Sequence, residues 1–166
     1  AESVRGDGML AARRAGAAIE RHALGNLLWQ PVSVVPGTST AGGLFPHLFL
    51  DRAKPGLIAV NVAGRRFVDE SLSYHRCGEG LLPQGRAWLV CDAAFVRRYG
   101  LGVIPPGTRR LGRWVRNGYI ACEPTLAALG RRVGIDASGL AATVARTNGF
   151  ADTGSDLDFG KGGTEV

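Results

Sequence analysis

The order of apolar and polar positions along the chain predicts short elements of both kinds. Residues 5–20 (RGDGMLAARRAGAAIE) put Met9, Ala12, Gly16 and Ile19 on one helical face, with Asp7 as the expected N-cap. Residues 27–29 and 32–35 read as short strands split by Pro31, and residues 37–43 (GTSTAGG) as a flexible loop. Residues 45–50 (FPHLFL) read as a short buried strand or turn that holds His47 as a structural imidazole. Residues 57–60 and 66–68 are β-rich runs on either side of a polar break containing Gly64, which predicts a hairpin. Ser71 or Ser73 then caps a short helix carrying Tyr74 and His75, within a helix-and-loop stretch at 71–86. Residues 87–90 (AWLV) predict a central strand, Asp92 caps a helix over 93–99, and residues 100–107, with Pro105 and Pro106, break that helix. Residues 108–118 read as a basic surface loop anchored by Trp114, and 119–122 as a short strand. Pro124-Thr125 opens a helix with Leu126, Leu129 and Val133 on one face, ended by Gly134. Asp136 caps a second helix with Leu140, Val144, Thr147 and Ala151 in register, and residues 152–166 form a polar, Gly-rich loop or tail. Strands and helices without regular βα alternation give an α+β class.

Composition narrows this picture. With 166 residues, 45% of them hydrophobic, the chain is long enough for one domain with a real core. No apolar run approaches the roughly 20 residues of a membrane helix. The formal charge is +6, and 18 of the 20 basic residues are Arg. They are scattered as pairs such as Arg13-Arg14, Arg65-Arg66 and Arg131-Arg132 instead of forming one tract, which argues against a nucleic-acid surface. Cys77, Cys91 and Cys122 lack metal-ligand spacing and read as free buried thiols of a reducing, cytoplasmic compartment. No metal site and no Cys–His or Ser–His–Asp arrangement is legible in the spacing.

Two stretches carry a family resemblance. GLIAVN-x-x-GRRFVDES-x-SYH, with the later WLVCD-x-x-F-x-RRY, resembles the capping-domain hairpin of FAD-dependent oxidoreductases of the fumarate reductase/succinate dehydrogenase flavoprotein superfamily, and most of all their 3-ketosteroid Δ1-dehydrogenase-like branch. TLAALGRRVGID followed by GLAATVARTNGFADTGSDLDFGKG resembles the helix pair and D-x-DFG-K/R-G segment that follow the capping sheet.

The resemblance implies a substrate-capping domain at 31–151, a residual piece of the FAD-binding domain at 1–30, and a tail at 152–166 leading back to that domain. It implies hydride transfer to FAD and proton transfer to a protein base at a CH–CH bond next to a carbonyl, with a ketone or enone substrate. Tyr74 falls at the position of the proposed base; a Tyr that only packs its ring is the alternative. Arg66 and Glu70 would orient substrate or hairpin, as a charge pair or through backbone. Gly6, Asp7 and Gly8 would lie near the flavin. Arg97 and Arg98 receive no catalytic role. The G-x-G-x-x-G that holds FAD pyrophosphate is absent, and the chain starts at Ala1. A piece of a longer protein is therefore expected, inactive alone and completed by the FAD-binding domain of the same chain. The competing reading is a stand-alone basic α+β module for an anionic or nucleic-acid partner.

Overall fold

The computed structural model describes residues 6–18, 29–37, 43–48 and 51–163. Helix α1 (Asp7–Arg14) is followed by strands β1 (Val32–Val34), β2 (Leu44–Pro46) and β3 (Leu57–Val60), helix α2 (Tyr74–Leu81), strand β4 (Trp88–Cys91), and helices α3 (Ala93–Tyr99), α4 (Gly112–Arg116), α5 (Leu126–Val133) and α6 (Ala137–Thr153). Two antiparallel pairs, β1–β2 and β3–β4, make up the sheets among the described residues. The α+β class is borne out.

β3 is where the core meets. All four of its residues are buried, and their period-2 alternation sends them to opposite faces. Leu57 packs with Phe95, Val96 and Ile104, and Ala59 with Val68 and Cys77. On the other face Ile58 and Val60 pack with Ile135 and Leu140, the latter from α6. Burying side chains of this kind contributes about 1.5–3 kcal/mol each.

The expected hairpin is reduced to one bridge, Val60 to Arg66. The turn forms as anticipated: Asn61 N–H donates to Arg65 O, and the Asn61 side chain accepts from Ala63 and Arg65 N–H. Beyond it, however, the Ala59 N–H is taken by the Glu70 carboxylate at 2.9 Å, in place of a second strand's carbonyl. β3 finds its partner in β4 instead, in the register Leu57–Cys91 to Val60–Trp88. Two-stranded pairing makes β4 a half-buried edge, not the central strand expected.

Other elements depart from expectation for local reasons. Gly6 in the left-handed conformation (φ 76°), not Asp7, is the N-cap of α1, and Asp7 is its first helical residue. Gly16 (φ 87°) closes that helix after Arg14, as a C-terminal glycine does. Residues 119–122 form no strand, because Tyr119 and Ile120 N–H both donate to Trp114 O at the end of α4. The 108–118 stretch contains that helix, whose half-buried Trp114 packs on the core as the anchor. The expected elements at 27–28, 38–42 and 49–50, the Ile19 position and residues 164–166 lie outside the described residues.

Capping follows the sequence closely elsewhere. Ser73, Asp92, Thr125 and Asp136 each accept from a first-turn N–H of α2, α3, α5 and α6. The Ser73 bond is long, at 3.4 Å to Arg76 N. The start of α6 packs on the turn at Gly64: Asp136 N–H donates to Val62 O at 2.9 Å. A Cβ at Gly139 would overlap Ala63 O, and one at Gly64 would overlap Leu140 N.

Candidate functional site

Glu70 sits at the exit of the β3 turn with no exposed side-chain surface. Arg66, one helical turn's distance earlier in sequence, grips it bidentately: Nε to Oε1 and Nη2 to Oε2, both 2.9 Å. Lys161 Nζ approaches Oε2 at 3.1 Å and donates to Leu57 O at 3.0 Å. Asp156 Oδ2 accepts from Arg66 Nη2 at 2.9 Å. Two cations and two anions thus close a buried cluster of zero net charge. Burial alone would lower the Arg66 pKa, but Glu70 and Asp156 outweigh it and hold the guanidinium above its usual range. Burial would raise Asp156, and the Arg66 hydrogen bond and charge instead hold it below the usual carboxylate range. The Arg66–Glu70 pair anticipated from the sequence is therefore present, and it bonds the backbone as well. Asp156 and Lys161 belong to the D-x-DFG-K-G segment, whose charges had no assigned partner in the sequence.

A second network was not legible at all. Ser33 Oγ lies 2.9 Å from His47 Nε2, and His47 Nδ1 lies 2.7 Å from Asp51 Oδ2. The Ser–His–Asp line that spacing could not support is thus formed, by a strand pair that brings positions 33, 47 and 51 together. Tyr119 Oη is 2.9 Å from Ser33 Oγ and accepts from Val103 N–H. Gly102 N–H donates to Asp51 Oδ2 at 2.8 Å. Burial pushes Asp51 up, but His47 and the two backbone N–H groups bring it below the ordinary value. His47 is buried and satisfied on both ring nitrogens, as a structural imidazole. Next to it, Arg52 is 1% exposed. Its Nε donates to His47 O at 3.0 Å, and its Nη1 to Glu70 O and Leu72 O at 2.5 and 2.6 Å. Arg52 Nη2 and Arg66 Nη1 are buried without a hydrogen-bond partner among the described residues.

Both networks border open space. A cavity of about 470 Å³ is lined by Ser33, His47, Arg52, Phe67, Trp88 and Tyr119, among others. A wider cleft of about 810 Å³ is lined by Arg66, Asp156, Lys161, Leu57, Val144 and Phe150, among others. Cys91 borders both. Burial, then Asp92 and Asp51, push its thiol up to about 12. Burial also raises the Cys77 thiol. Cys122 is exposed, against the expectation of three buried thiols.

Tyr74 is the first residue of α2 and is half-buried. Among the described residues no hydrogen bond engages its side chain, and it lines neither cavity. His75 points elsewhere: its Nδ1 accepts from Trp29 N–H, and its Nε2 faces Glu79 at 3.3 Å. Arg97 and Arg98 are exposed on α3. Gly6, Asp7 and Gly8 open α1, a helix that buries none of its residues, and no hydrogen bond or ion pair brings them to the Glu70 cluster.

Comparison with known proteins places these features in a family. Over 145 residues the chain is 39% identical to the 4-oxocyclohex-2-ene-1-carboxylate 5-dehydrogenase of Sinomonas cyclohexanicum, covering 82% of this chain and 24% of that protein. It is 36% identical to the 3-oxosteroid 1-dehydrogenase of Mycobacterium tuberculosis H37Rv, covering 95% of this chain and 28% of the relative. Among solved structures it matches the 3-ketosteroid Δ1-dehydrogenase of Sterolibacterium denitrificans, determined with 1,4-androstadiene-3,17-dione. That match has a TM-score of 0.73 and 30% identity, over 96% of this chain and 29% of the other. The chain thus spans about a quarter of the length of the curated relatives it matches. The model of the FAD binding domain family matches residues 1–164, and the chain belongs to that family of flavoproteins.

Proposed function

We propose that the chain is the substrate-capping part of an FAD-dependent dehydrogenase or reductase acting on a CH–CH bond next to a carbonyl, with Tyr74 as the group that takes or returns the proton. The observation that carries this reading is the state of Tyr74: half-buried at the start of a capped helix, its hydroxyl is unengaged by any described residue. A buried Tyr hydroxyl usually finds a protein partner; that of Tyr74 is left open to a substrate. The relatives' names point to cyclic ketones as substrates. A carbonyl acidifies the C–H beside it, which brings that proton within reach of a phenol oxygen. When bound, the flavin accepts the hydride from the neighbouring carbon.

Residues 31–151 form the cap in this reading. Residues 1–30 are a residual piece of the FAD-binding domain, and residues 152–166 a loop or tail leading back to it. Gly6, Asp7 and Gly8 fit one polar edge of the cofactor, because the first-turn N–H groups of α1 carry no side-chain cap and no described residue crowds Gly6 or Gly8. They do not amount to a pyrophosphate cradle, which we assign to chain beyond these residues, so this piece alone neither retains FAD nor turns over. Arg66 and Glu70 hold the turn before Tyr74 rather than the substrate, since their charges are already matched by Asp156 and Lys161.

The test is the full-length protein, followed by its flavin spectrum and by a dye-coupled assay on cyclic ketones and 3-ketosteroids. Tyr74→Phe slows turnover by about 10²–10⁴-fold, the range for a lost acid–base group, with flavin still bound. Turnover unchanged in that variant removes Tyr74 from the mechanism.

A further inference from the structure

We infer that Arg52 is a positioning residue for Tyr74: its guanidinium sets where α2 begins and so where the Tyr74 hydroxyl stands. The inference rests on the proton-transfer reading of Tyr74 given above.

The geometry is that of a clamp with both ends fixed. Arg52 Nη1 donates to the carbonyls of Glu70 and Leu72, in the turn that leads directly into the cap residue Ser73 and Tyr74. Its Nε donates to His47 O, so one planar fork joins the end of β2 to the start of α2. The backbone behind the fork is fixed too. Arg52 N–H donates to Asp51 Oδ1, while Asp51 Oδ2 is held by His47 and by Gly102 N–H. Asp69 Oδ1 holds Ser71 at 2.6–2.7 Å, but it lies within the same turn and ties it to no other element, and the bonds nearest the helix start are long. The Ser73 cap bond is 3.4 Å long, and Leu72 N–H reaches Asp69 O at 3.3 Å. Charge-assisted bonds from a buried guanidinium are the stronger kind. A lysine brings the same charge but cannot span three carbonyls in one plane. Proton transfer needs the phenol within hydrogen-bond reach of one carbon-bound hydrogen, so a displacement of about 1 Å costs about 10²-fold.

The test compares Arg52→Lys, Tyr74→Phe and the double variant in the holoenzyme carrying this chain. Arg52→Lys is expected to lower kcat by about 10- to 100-fold, with KM and flavin content held and the thermal midpoint lowered by the buried bonds that lysine cannot make. In the Tyr74→Phe background it is expected to lower kcat no further, because two changes that act through one group are not additive. Hydrogen exchange at the amides of residues 73–77 rises in the lysine variant, while exchange in α6 stays as it was. Arg52→Gln, uncharged and of similar volume, is read in the same way should the lysine enzyme lose its flavin. Equal losses in both backgrounds, or an unimpaired kcat beside a slow Tyr74→Phe enzyme, would overturn the role of Arg52 alone. A Tyr74→Phe enzyme that turns over at the parent rate would overturn the base reading, and this inference with it.

Discussion

Glu70 carries a formal charge with no exposed side-chain surface, and every oxygen lone pair it turns inward meets a donor from Ala59, Arg66 or Lys161. Taking one partner from such a set leaves an uncompensated buried charge, which costs about 3–5 kcal/mol. Glu70→Gln is therefore expected to lower stability to denaturant by that amount, since Arg66 and Lys161 then face Asp156 alone. A loss below about 0.5 kcal/mol, the ordinary range of a surface substitution, would mean that the cluster is solvated in solution. The pair was readable because Arg66 and Glu70 lie four residues apart in one motif. The rest of the cluster was not, because Asp156 and Lys161 stand far along the chain with nothing local to mark their partners. The same holds for Ser33, His47, Asp51 and Tyr119, whose hydrogen bonds join positions up to 86 residues apart.

Helix ends were the most legible elements. Ser, Asp and Thr caps and the glycines at 100 and 134 act within a few residues of themselves, so the sequence carries the whole cause. Strand pairing was less legible, because the partner of β3 was decided by a side chain: Glu70 occupies the donor of Ala59, and β4 takes the other edge. The turn at Gly64 shows what that arrangement requires. α6 begins so close to it that Gly139 has no room for a methyl group against Ala63 O. Gly139→Ala would raise helix propensity in isolation by about 1 kcal/mol. Here it is expected to destabilise by about 1–3 kcal/mol, the usual cost of overpacking. An unchanged or higher thermal midpoint for that variant would show that α6 can slide away from the turn.

Across the whole molecule, acidic groups with lowered pKa values set the response to pH. Asp51 and Asp156 both titrate below the ordinary carboxylate range in the folded chain. Their contribution is full above about pH 4, the unfolded value, and is lost as pH falls through the lowered folded values. Thermal midpoints measured from pH 6 down to pH 3 should drop in the acidic part of that window, and Asp51→Asn should flatten the drop. An identical slope in the variant would place the acid response elsewhere. At this scale the +6 charge misled least when read as scattered: Arg52 and Arg66 are spent inside the protein, and only the remainder faces outward.

Lys161 reaches back across 104 residues to Leu57 and closes the charge count around Glu70. A chain made from its N-terminus has Arg66 and Glu70 in hand well before Asp156 and Lys161, the second anion and second cation, arrive. Until then the β3 turn lacks part of its support, since Glu70 has only Arg66 and the Ala59 N–H. The arrival of one short loop converts it into a committed one, and contacts of such long sequence separation are the slow ones to form.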